Sequence, residues 1–200
     1  RCTGAPRALL ITDPRGDLRG AASAGPTVRE ALARRGFEVT WLQGRDARRE
    51  AALAALADPC TQLFHYDGHA RFEGLDGLRA ALDLDDAPLT VSDLLALPRV
   101  PPAAVLLGCA TAKDDGLGLA QALLARGARQ VLASTEDVDD ALSRRVAEHL
   151  MTTLPIFALL WVPIWVFRET LYPWATHEGA HTHAVLGFGD DGAGLLRRVD

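Results

Sequence analysis

The sequence predicts an α/β fold, a mostly parallel central sheet with helices on both faces, and three observations predict it. Short β-branched or aliphatic runs alternate with helix-forming stretches along the amino-terminal half, the order that builds parallel strands joined by crossover helices. The runs RALLIT at 7–12 and AAVLL at 103–107 stay apolar through their centres instead of alternating, as strands covered on both faces do. At 200 residues, 48% hydrophobic and 24% charged, the chain has the length and apolar material for one such domain, expected over residues 1–200.

In order, Arg7 to Thr12 reads as the first strand, ended by Asp13 and Pro14. A helix is expected from near Thr27, with Val28, Ala31 and Leu32 on its apolar side and Gly36 closing it. Phe37 to Leu42 is the second strand. Asp46 to Ala57 is rich in Ala and Leu and predicts a helix capped by Asp46. Leu63 to Tyr66 is the third strand, Gly74 to Asp86 a hairpin excursion, and Ser92 to Leu97 a short helix. Ala103 to Leu107 is the fourth strand, Gly116 to Ala125 a helix, Gln130 to Ala133 the fifth strand and Asp139 to Leu150 another helix. Ala184 to Phe188 adds a last strand. Between them, Pro155 to Phe167 (PIFALLWVPIWVF) is apolar on every side, shorter than the roughly 20 residues a bilayer span needs, and broken by Pro163. The segment 155–170 is therefore expected to be buried rather than a docking face, and membrane contact is not expected.

The net charge of -5 comes without a run of Lys and Arg, which argues against nucleic acid as a partner. No glycine-rich phosphate loop follows the first strand, so no nucleotide cofactor is expected. Cys2, Cys60 and Cys109 are odd in number and scattered, giving neither a disulfide framework nor zinc-ligand spacing; free thiols in a reducing cytoplasm are the expectation. A chain starting at Arg1 with no leader pattern reads as a segment of a longer polypeptide.

In a parallel sheet, functional side chains gather past the carboxyl ends of the strands. His69 follows the third strand in HYDGHA and Cys109 the fourth in VLLGCATA, so adjacent strands bring an imidazole and a thiol together. A thiol is a weak nucleophile until it loses its proton, and a neighbouring imidazole can take it. Gly68 and Gly108 let the two loops turn tightly, and the N–H groups of Cys109 and Ala70 are candidates to hold a developing oxyanion. The plainer reading is a small buried cysteine and a surface histidine. No metal is needed for this chemistry. His177, His181 and His183, with Glu178, have spacings a metal can use, but the zincin pattern is absent and a solvated loop accounts for them. His65 reads as structural.

The blocks HYDGH and GCAT resemble the histidine and cysteine blocks of the CHAT family, and more distantly caspases, separases and gingipains. ALLARGARQVLAS followed by VDD is similar to the family's next helix, strand and acidic turn, TDPRGDL to its first loop, and WATHEGAHTHAVLGFGD to its closing strand. The resemblance implies a caspase-like three-layer sandwich and a cysteine endopeptidase with a His69 and Cys109 dyad working through a thioester. It also implies a protein substrate, a sensor or repeat-domain partner, and a setting in regulated bacterial proteolysis or defence. The chain departs from the family in having Ala70 where glycine usually follows the histidine, and Glu136 where a Trp commonly precedes the acidic turn.

Asp137 and Asp140, with Glu136, match the turn that in separase-like enzymes faces a basic side chain, which implies cleavage after Arg or Lys. Against this, Glu136, Asp137, Asp139 and Asp140 are also what the start of a helix favours. A rival placement has Arg15 or Arg19, after the first strand, bind an acidic residue as caspases do. The alternative from another class is a catalytically inactive interaction or signalling module.

Overall fold

The computed structural model describes residues 2, 4–72, 79–112, 118–134, 137, 139–153, 184–190 and 193–197, with side-chain detail as far as Met151. The core is a seven-stranded sheet in the order β10-β9-β8-β7-β3-β1-β2. Five of its strands run parallel: β1 (Arg7–Thr12), β2 (Glu38–Gln43), β3 (Thr61–Asp67), β7 (Ala103–Leu107) and β8 (Gln130–Ser134). Two antiparallel strands, β9 (Ala184–Asp190) and β10 (Ala193–Arg197), extend the far edge; the sequence signalled the first of them alone.

The chain steps one way from β1 to β2, then back past β1 to β3 and onward to β7 and β8. Right-handed crossovers therefore put the first helix on one face and the next three on the other, and the last helix returns to the face of the first. The packing agrees. Leu10, Leu63, Val105 and Leu132 of the sheet meet α1 (Arg19–Arg34) and α5 (Asp140–Thr153) through Val28, Leu32, Ala147 and Met151. Leu9, Phe64, Leu106 and Val131 meet α2 (Arg49–Ala57), α3 (Val91–Ala96) and α4 (Leu119–Ala125). Between β3 and α3, β4 (Ala70–Arg71), β5 (Ala81–Leu82) and β6 (Leu89–Thr90) form a small antiparallel sheet in place of the expected hairpin. Among the described residues no helix is long and apolar enough to cross a membrane.

Three expectations need correction. The first helix begins at Arg19 and runs through Pro26, although proline supplies no N–H and crowds the preceding turn. Gly25 beside it is required by packing, since a β-carbon there would lie 2.8 Å from Trp41 Cζ2. Asp46 caps nothing in α2: it lies in a 3-10 turn (Gly44–Asp46), and the Arg49 amide donates to Asp86 instead, at 2.8 Å.

The third correction concerns the cysteines. Cys2 and Cys60 form a disulfide, so the expectation of free thiols fails for them, and with it the ground given for a cytoplasmic location. The cause is topological. β1 and β3 are parallel neighbours, so the segments leading into them lie side by side, with Arg7 N–H donating to the Cys60 carbonyl at 2.8 Å. Linear spacing carries no trace of this. The apolar interval 155–170 and the cluster of His177, Glu178, His181 and His183 lie outside the described residues.

Candidate active site

β3 and β7 are hydrogen-bonded neighbours, with Asp67 in register with Leu107, so the loops that follow them leave the sheet side by side. Their backbones touch. A β-carbon at Gly108 would lie 2.9 Å from both Ala70 Cβ and the Gly68 carbonyl oxygen, so the residue before Cys109 is wedged against both neighbours of His69. This approach is the reason for glycine at 108.

His69 is held at both ends. Its carbonyl accepts from the Asp83 N–H at 2.9 Å, and the Tyr66 hydroxyl lies between that carbonyl and that of Asp83. Its ring Nε2 lies 3.0 Å from Asp17 Oδ1, a residue of the loop after β1. Asp17 is fixed in turn, because Asp13 Oδ1 accepts from the Asp17 and Leu18 amides, both at 2.9 Å. Arg15 and Arg71 both reach the Asp83 carboxylate, at 3.3 and 2.7 Å, so the rival anchor Arg15 is already paired with this chain's own acid. Arg19 opens α1 on the exposed side.

Cys109 is half-buried and outside any disulfide. Its loop is closed by Thr111, which is wholly buried: its hydroxyl lies 3.2 Å from the carbonyls of both Leu106 and Gly108 and accepts from the Ser134 N–H at 3.1 Å. The replacement of the family's usual glycine by Ala70 brings no left-handed strain. Ala70 pairs with Leu82 as a strand residue, while Ala110, just after the cysteine, has φ of 51°. The turn that presents the thiol, rather than the residue after the histidine, carries the unfavourable backbone.

The CHAT-domain family model matches residues 4–155, well over half of the chain. The chain belongs to the CHAT-domain family. No curated protein matches it. The α/β architecture with its mostly parallel sheet is that of the caspase-like proteases to which CHAT domains are related.

In this CHAT domain the acidic residues after β8 take separate places. Asp140 accepts from the Gly20 and Ala21 amides, at 2.6 and 3.0 Å, and so caps the start of α1 from a different helix. Asp139 accepts from the Ala141 and Leu142 amides and caps α5. Asp137 is exposed, and Glu136 lies outside the described residues.

A different acid stands beneath the two loops. Asp67, the last residue of β3, is buried; Ser143 of α5 donates to its Oδ1 at 2.6 Å, and its Oδ2 has no hydrogen-bond partner. Burial pushes its carboxyl up to about 7, with the Asp140 and Asp13 charges adding to the rise against the pull of the Ser143 hydroxyl. His65, two residues back on the same side of the strand, is also buried with both ring nitrogens unpartnered, and burial lowers it to about 4. It stays neutral inside the sheet, in keeping with a structural role.

Asp17, Asp67 and Thr111 are the site residues that the sequence reading passed over. For Asp67 there was a signal, a carboxylate directly after the run LFHY and two positions before the histidine. Asp17 had none, because only the packing of the β1 loop against the β3 loop selects it from the loop's other polar residues.

Proposed function

We propose that this CHAT domain is a cysteine endopeptidase that cuts a protein partner through Cys109 and His69. The observation that carries the reading is the contact of Gly108 with Gly68 and Ala70, which brings the two loops together at the carboxyl ends of adjacent strands. His69 takes the Cys109 proton, and the sulfur bonds to the substrate carbonyl carbon. The peptide C–N bond breaks as the amine leaves with that proton, and water then hydrolyses the thioester. The amides of Cys109 and Ala70 are the proposed oxyanion donors. The setting we propose is regulated bacterial proteolysis, with a sensor or repeat-domain protein as partner.

We assign cleavage to the carboxyl side of Arg or Lys. The exposed Asp137, in the turn after β8, supports this. Glu136 remains a proposed contributor from the same turn, whereas the Asp140 carboxylate is held by the Gly20 and Ala21 amides.

The test is labelling by an arginyl electrophilic peptide, with an aspartyl analogue in parallel. Wild-type protein should take the arginyl probe, and Cys109→Ala should lose the label entirely. Preference for the aspartyl probe would overturn the basic specificity in favour of Arg15. Absence of labelling by either probe would leave the fold as an interaction module.

A further inference from the structure

An imidazole serves as a base only through the nitrogen that has no hydrogen, so whatever binds the other nitrogen decides how the ring works. In this domain Nε2 of His69 faces Asp17 Oδ1 at 3.0 Å. A carboxylate only accepts, so Nε2 carries a hydrogen, and in the neutral ring the lone pair is then on Nδ1.

We infer that Asp17 is the positioning residue of the site, a third member that orients His69 with Nδ1 as the base for Cys109; this rests on the peptidase reading above. The contacts form a closed circuit. The His69 ring meets Asp17, whose second oxygen lies 3.7 Å from Arg15 Nε. Arg15 reaches Asp83 at 3.3 Å, and the Asp83 N–H donates back to the His69 carbonyl at 2.9 Å. Ring and backbone of one histidine are thereby fixed by the same three residues, Asp17, Arg15 and Asp83. The anchor beneath Asp17 is set in place by the backbone of Asp13, whose φ of 44° turns the β1 loop so that its carboxylate caps the Asp17 and Leu18 amides.

A pair with side chains 39% and 47% exposed adds almost nothing to stability, so a merely ornamental contact and a positioning one differ in what their loss changes. Asp17→Ala should melt like the wild type. It should lower the maximal rate of Cys109 labelling by the arginyl probe about tenfold, a share of the roughly 10²–10⁴-fold that a placed proton acceptor contributes, while half-saturating probe concentration is unchanged. Asp17→Asn, whose amide oxygen still accepts from Nε2, should recover most of the rate.

A second readout needs no activity. In nitrogen-15 spectra the wild type should show a protected imidazole N–H assigned to Nε2 of His69, kept in Asp17→Asn and lost in Asp17→Ala. The inference is overturned if Asp17→Ala labels at the wild-type rate while Cys109→Ala does not label. If the wild type takes no label, the peptidase reading fails and the spectra alone decide; a wild-type ring without that signal sinks the inference too.

Discussion

The two ends of the sheet are held together in different ways. At the amino ends of the strands, Cys2 is bonded to Cys60, Arg7 pairs with Glu38 and Asp58, and its amide joins β1 to β3. At the carboxyl ends, loops are tied by hydrogen bonds and by the Arg15 and Arg71 pairs with Asp83, with no covalent link among the described residues; Asp13 and Ala110 sit in left-handed backbone, and Asp67 keeps an unmatched oxygen. One end is built for strength and the other tolerates cost, the division expected when a site needs groups that a core would not choose.

The sharpest way to break that comparison is to cut the strong end. Reducing the disulfide, or replacing both Cys2 and Cys60 by serine, should cost about 4 kcal/mol, because it frees a loop of 58-residue separation in the unfolded chain. Calorimetry should show the loss, while probe labelling of Cys109 at 25 °C stays unchanged.

Next in size is a pair of opposed pH effects at the costly end. Asp67 is raised to about 7 in the fold, so its contribution to stability is complete below pH 3.8 and is lost as pH rises through about 7. His65 is lowered to about 4, so its contribution is complete above pH 6.5 and is lost as pH falls through about 4. The first is worth on the order of 4 kcal/mol across its window and the second on the order of 3 kcal/mol. Between about pH 4 and 6.5 folding moves a proton from the histidine to the acid with no net uptake, and the two slopes cancel. Melting temperature should therefore be nearly flat there in the wild type. It should climb with pH in Asp67→Asn, fall with pH in His65→Leu, and be flat again in the double variant. Single variants as flat as the wild type would show that the two groups are not buried as described.

Smaller effects follow. Asp140→Ala strips two acceptors from the start of α1 and should cost about 1–2 kcal/mol by denaturant melts. Smallest, Ala110→Gly relieves the left-handed turn after the cysteine and should stabilise by about 1 kcal/mol or less. A loss of stability there would mean that the turn is not strained.

What was legible in the sequence is what repeats along it. Arg7 to Thr12 and Ala103 to Leu107 matched their strands because buried parallel strands are continuous in the chain and need no partner to be recognised. The loops of His69 and Cys109 were placed side by side because strand ends are places that a linear reading can locate. Gly25 and Pro26 misled it: helix rules read them as a boundary, yet packing against Trp41 and Thr12 carries the helix through. Asp17, Asp67 with Ser143, and Asp140 with Gly20 were out of reach, since each joins residues that only the completed sheet brings together.

The Cys2–Cys60 bond has one more consequence, for a domain exposed to proteolysis. It encloses β1, α1, β2 and α2, so a nick in any loop between them, including the arginine-bearing turn at 15–19, leaves the two pieces covalently joined. Such a molecule migrates as one band on a non-reducing gel and separates into fragments only when a thiol is added.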